Sequence, residues 1–227
     1  MTVEGPTRVF ATGSQRAVSA PTFDVVFVHD LSGDRYTTWS AKDGAFWPQW
    51  LADDFDNINV YLAGYDSSAF AGILLGSSAA IQDLATSLAD GLISRPRQAD
   101  NIILITHSLG GLIVKQMLRR CADSADARFQ DLAKKVRAVV FLGTPHQGAQ
   151  LATGFDLVLK PFKGKASQQL AYSSDNLLDL SHFFSNFAVR EKVAVRPLYE
   201  NRLKPRISIR LSSLRRRSRP NWKAAIS

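Results

Sequence analysis

The chain has 227 residues, 45% of them hydrophobic, which is enough for one domain with a substantial core. A single cysteine, Cys121, excludes an intrachain disulfide framework and fits a reducing, intracellular compartment. No run reaches the roughly 18 apolar residues of a membrane span, and the N-terminus lacks the apolar segment of a signal peptide. The net charge of +8 averages two unlike parts. From Arg196 onward there are 10 Lys/Arg against one acid, Glu200, whereas the remainder carries 18 Lys/Arg and 19 Asp/Glu. A basic surface for nucleic acid is normally built into the fold, so no nucleic-acid partner is expected from a basic tail alone.

Residues 1–21 are polar and read as a loose leader. Asp24–His29 is a short apolar, β-branched run, hence a buried strand, followed by a loop at Asp30–Asp34. Trp47–Phe55 reads as a short amphipathic helix with Pro48 near its start. Asn59–Leu62 is a second strand, ending in Gly64-Tyr65-Asp66. After a Gly/Ser/Ala-rich loop, Ile81, Leu84, Leu88 and Leu92 fall at helical spacing across Ile81–Ile93. Ile102–Ile105 is a third strand, and an apolar helix starts at Leu109. Gln130–Lys135 reads as a polar connector and Val136–Leu142 as a strand ending in Gly143-Thr144-Pro145-His146. Asp175–Val189 is a helix with an aromatic stripe, and Val193–Leu198 is a last strand. Strands and helices alternating at this rhythm predict an α/β fold with a mostly parallel sheet covered on both faces.

The chemistry concentrates at Asn101–Lys115, NIILITHSLGGLIVK. Thr106-His107-Ser108-Leu109-Gly110 nearly matches the G-x-S-x-G nucleophile elbow, with Thr106 in place of the first glycine. Such a turn holds its serine in a strained conformation while neighbouring backbone passes close by, which requires small residues such as Gly110 and Gly111. The turn would point the Ser108 hydroxyl away from the sheet and place the Leu109 N–H, at a helix N-terminus, where an oxyanion could form. The competing reading is a structural strand–turn–helix junction. Cys121, near the end of the following helix, reads as a half-buried core thiol.

Four ordered motifs, VFVHDLSGDRYTTW, YLAGYDSS, ITHSLGGLIVKQML and VVFLGTPHQGAQLA, give the chain a family resemblance over about Phe23–Glu200. It resembles the α/β-hydrolase domain of serine-active-site-containing proteins, relatives of the GPI inositol-deacylase lipases. In fungi similar domains stand at the front of NACHT or repeat proteins. The resemblance implies acyl-ester hydrolysis on lipid-like substrates, without a cofactor or metal, and a cytoplasmic, mitochondrial or endoplasmic-reticulum setting. It implies Ser108 as nucleophile, with Leu109 and Leu31 N–H groups forming the oxyanion hole. The family has His-Gly after its first strand. Here the pair is His29-Asp30, and an inward carboxylate would oppose an oxyanion. His146 lies in the Gly-Thr-Pro-His loop, which shapes the site rather than supplying the base. Glu200 follows the last strand, where this fold carries its triad acid. His29 and His107 are expected to brace their turns, and His182 to be a satisfied, partly buried helix residue.

The triad order in this fold is Ser, acid, His, yet all four histidines precede Glu200. Without a base, a serine hydroxyl is a weak nucleophile. Composition also changes abruptly after Glu200, to RLSSLRRRSRPNW. Read two bases later, the tail's codons permit E-K-E-S-A-K-L-E, which resembles the family's strand before its catalytic histidine. The expectation is therefore a hydrolase domain over residues 22–200, C-terminally incomplete, with an out-of-frame tail at 201–227. Genomic sequence without that strand and a downstream histidine in the shifted frame would overturn this. The alternatives for the tail are a solvated basic extension and peripheral contact with anionic lipid. Two functions stay open: a serine esterase or lipase-like hydrolase, inactive if its base is missing, and a non-catalytic binding or signalling module.

Overall fold

The computed structural model describes residues 7–11, 21–30, 33–65, 78–94, 99–144 and 174–198. Six strands form one sheet: β1 (Thr7–Ala11), β2 (Phe23–Val28), β3 (Ile58–Ala63), β4 (Asn101–His107), β5 (Val136–Leu142) and β6 (Ala194–Leu198). The helices are α1 (Trp47–Asp54), α2 (Ser78–Ser94), α3 (Gly110–Asp123), α4 (Ala127–Lys135) and α5 (Ser174–Arg190), with a 3-10 turn at Thr37–Trp39. The strand order is β1-β3-β2-β4-β5-β6. β2 to β6 run parallel, and β1 pairs antiparallel with β3. This is the expected α/β-hydrolase arrangement.

Period-two alternation divides the strand residues between two cores. Val26, Val28, Leu104, Val139 and Phe141 face α2, α3, α4 and α5, where Leu84, Ile113, Met117, Leu132 and Phe184 meet them. Val25, Phe27, Val60, Ile103 and Ile105 face the other way, onto Trp39 and the α1 side chains. Phe27 anchors this second layer edge-on to Trp39 and Trp47, with ring centroids 5.0 and 5.3 Å away. Each parallel crossover is expected to be right-handed. The leftward step from β2 to β3 therefore carries α1 on one face, and the rightward steps carry the other helices on the opposite face.

Two stretches differ from the sequence expectation. Thr7–Ala11 is an edge strand rather than part of a loose leader, its register on β3 shifting between Arg8 and Phe10. Residues 127–135 form a helix rather than a connector. The Asp126 carboxylate caps it by accepting from the Arg128 N–H at 2.9 Å, and only Leu132 and Ala133 are buried. That helix runs directly into β5, with no residue between Lys135 and Val136. Residues 199–227, including the tail, lie outside the described residues. No helix among the described residues is long and apolar enough to cross a membrane.

Candidate active site

Because β3 and β4 lie on opposite sides of β2, the chain leaves β2 and β4 toward opposite faces of the sheet. Such a divergence opens a crevice at the carboxyl ends of the strands, where open α/β sheets take their ligands. His29 and Asp30 lie at this end of β2, and Ser108 lies at this end of β4.

Ser108 has φ +48, in the left-handed region that costs a non-glycine residue on the order of 1–3 kcal/mol. Three hydrogen bonds hold it there. Its N–H donates to Leu142 O at 2.7 Å, and its carbonyl accepts from the Thr144 hydroxyl at 2.9 Å and the Gly111 N–H at 3.1 Å. The glycines are sterically required. A Cβ on Gly110 would lie 2.4 Å from His29 O and 2.7 Å from Val28 O, and one on Gly111 would lie 2.3 Å from Thr144 Oγ1. Thr106 is tolerated where the motif has glycine because it is fully buried between strands and its hydroxyl donates to Val140 O at 3.1 Å.

The Ser108 hydroxyl is buried and has no hydrogen-bond partner among the described residues. Leu109 is the N-cap of α3, with helical φ and ψ, and its N–H meets no acceptor among the described residues. The turn therefore supplies a hydroxyl and an adjacent amide at the positive end of a 14-residue helix. A Ser108→Gly variant should raise stability by about 1 kcal/mol, because glycine adopts this φ without strain. Urea denaturation measures the gain, and an unchanged or lower midpoint would show that the turn is not strained.

His29 is buried, stacked on Tyr65 with centroids 4.2 Å apart, and its Nδ1 lies 2.5 Å from Asp30 O. The Tyr65 hydroxyl donates to His29 O. Burial lowers the His29 pKa, outweighing the opposing pull of the Asp30 carbonyl, so the ring is neutral at neutral pH. Both contacts hold the chain where it leaves β2. Asp30 is fixed sideways: it accepts from the Thr38 hydroxyl at 3.3 Å and lies 3.8 Å from His107 Nδ1. His107 in turn meets the edge of Trp39, at 6.3 Å. Sequence reading treated Asp30 and His107 separately and missed this cluster. The spacing of eight residues between Asp30 and Thr38 gave no signal, because a loop and a 3-10 turn bring them together.

Leu31, His146 and Glu200 lie outside the described residues. His182 is exposed on α5 rather than partly buried, because the aromatic stripe turns the opposite face of that helix to the core. Cys121 is fully rather than half buried, and burial pushes its thiol up to about 12, too high for a reactive thiolate. No cluster of metal-ligating side chains occurs among the described residues.

Residues 23–176 match the protein family described as "Putative serine esterase (DUF676)". The chain belongs to the DUF676 family. That match spans both sides of the crevice, from β2 to the start of α5. The DUF676 chain is also 28% identical over 190 residues to Protein SERAC1 of Danio rerio and 27% identical over 193 residues to Protein SERAC1 of Mus musculus. Each alignment covers 73% of this chain but only 28% of the relative, so the chain spans little more than a quarter of those proteins. Among solved structures, esterase B from Lactobacillus rhamnosis overlaps with TM-score 0.42 at 15% identity, covering 87% of this chain and 75% of that one. A lipase-esterase related protein from Clostridium acetobutylicum overlaps with TM-score 0.37 at 14% identity, covering 86% and 78%.

Proposed function

We propose that this DUF676 chain is a carboxylic-ester hydrolase by descent, built around Ser108 and directed at lipid-like acyl esters. The observation that carries the reading is the strained Ser108, followed by two glycines, whose buried hydroxyl has no partner among the described residues and sits beside a helix N-terminal amide. A side chain held at such a backbone conformation by three hydrogen bonds marks a position kept for chemistry rather than for packing. In the reaction, Ser108 Oγ adds to the ester carbonyl carbon while its proton passes to a base. The Leu109 N–H, with Leu31 as second donor, stabilises the oxyanion. The ester C–O bond then breaks, the alcohol leaves with a proton, and water cleaves the acyl-serine to release the acid. Glu200 is the proposed acid that orients the base. The same reading sets the chain in the cytoplasm, the mitochondrion or the endoplasmic reticulum, as a NACHT-type or GPI-deacylase-like specialisation.

One observation favours the second reading, a binding module. Among the described residues no histidine bonds to the Ser108 hydroxyl. A fluorophosphonate probe separates the two, since it labels only an activated serine. The expected result is labelling at Ser108, slow in the absence of an oriented histidine, and none in Ser108→Ala. A chain that stays unlabelled has no activated serine, and the binding-module reading then moves ahead.

A further inference from the structure

A second polar centre lies away from the crevice. Lys115, on α3, is 1% exposed. Its Nζ donates to the Ser181 hydroxyl at 3.2 Å and sits 5.6 Å from the ring centres of both Phe141 and Phe184. An ammonium carries three N–H donors, and only one has an acceptor among the described residues. A buried charge ordinarily has a counter-charge. Among the described residues none bonds to Lys115, and Asp179, two residues before Ser181 on α5, is exposed and bonded to Arg119 at 2.5 Å.

The Lys115 side chain lines an open groove of about 620 Å³ between α5 and β6, within the size range that takes small ligands. Phe184, Val193, Val195 and Pro197 give it an apolar wall, and exposed Lys192 stands at its edge. None of the crevice residues contributes to it.

We propose that this groove binds the carboxylate of a small amphiphile, with the head on Lys115 and the apolar body along Val193, Val195 and Pro197. The two N–H groups left on Lys115 match the two oxygens of one carboxylate. A single negative charge neutralises the single buried ammonium, whereas a dianion would leave net charge in an apolar setting. Aromatic faces supply part of the missing stabilisation but no counter-charge. Burial already pulls the ammonium down to about 8, and a bound anion would reverse that pull. Binding is therefore strongest between the carboxylate's own titration, at about pH 4 to 5, and that pH, and is lost as pH rises and Lys115 deprotonates. Facing it, α5 offers Ser181 and Phe184, β5 offers Phe141 and β6 offers Val195, none of which titrates. Lys192 is the other charged side chain lining the groove.

The test is calorimetric titration of the 227-residue chain with decanoate at pH 7 and pH 10, alongside decanol. The expected result is saturable one-to-one binding at pH 7, at least tenfold weaker at pH 10 and for decanol. Lys115→Met, which keeps the side-chain volume and whose folding is checked by circular dichroism, should bind decanoate at least tenfold more weakly. Val195→Asp, at the apolar wall, should weaken binding while leaving Lys115 in place. No saturable binding, equal binding of decanol, or full binding by Lys115→Met would each overturn the proposal.

Discussion

Replacing Gly110 by alanine is expected to lower stability by roughly 3 kcal/mol and to abolish labelling of Ser108. The added methyl would meet two backbone carbonyls, Val28 O and His29 O, at 2.7 and 2.4 Å. Backbone of a central strand cannot step aside as a flexible side-chain end can. β2 is paired on both sides, with β3 and β4, so moving it strains two ladders. Alanine's better helix propensity returns at most about 1 kcal/mol, and less at a helix's first residue. The clash wins, and the start of α3 must shift away from β2, carrying the Leu109 amide with it. Urea denaturation and fluorophosphonate labelling of the variant check both halves. A wild-type midpoint would show that the crevice floor is not the tight contact described. Gly111→Ala should be milder, since it meets the Thr144 and Phe141 side chains, which have some freedom to repack.

Lys115→Met is expected to stabilise the chain at neutral pH by about 2 kcal/mol. Burial lowers the ammonium from 10.5 to about 8, an unfavourable contribution of roughly 3 kcal/mol at 1.36 kcal/mol per unit. Losing the Ser181 hydrogen bond and the aromatic contacts returns about 1 kcal/mol of that. The pH dependence identifies the cause. The folded pKa lies below the unfolded one, so between about 8 and 10.5 the unfolded chain binds more protons. Wild-type stability therefore rises with pH across that window, and the advantage of methionine shrinks as the lysine becomes neutral in both states. Denaturation at pH 7 and pH 10.5 without added carboxylate measures this. A constant difference between the two chains would mean that packing, not charge burial, separates them.

What was legible in the sequence was whatever local pattern dictates. The runs at Asp24–His29, Asn59–Leu62 and Val136–Leu142 are apolar and β-branched between turn residues, and each forms a strand within a residue or so of its expected ends. The elbow was legible because a hydroxyl, two glycines and an apolar helix follow a buried strand without interruption. Illegible were features decided by distant partners. β1 is an edge strand because β3, some 50 residues later, offers it a backbone ladder. α4 is mostly polar and only nine residues long; its apolar face is Phe129, Leu132 and Ala133, and a polar reading that starts at Gln130 cuts that face in two. Lys115 is set apart only by Ser181 and Phe184, which α5 places against it from more than 60 residues further on. The Asp30–His107 approach depends on two parallel strands ending side by side, which no spacing within one segment encodes.

The direct passage of α4 into β5 limits how this chain can change length. With no linker to absorb an extra residue, a single insertion at Lys135–Val136 must go into one neighbour or the other. Taken up by the strand, it would exchange the faces of Val139, Val140 and Phe141, sending each into the wrong core. Taken up by the helix, it would turn Leu132 and Ala133 by about 100° away from the layer they fill. The register of β5 on β4 already shifts between Ile102 and Ile103, just past the seam, and that irregularity is where a further residue escapes both costs, so gaps among related chains should gather there or outside the seam.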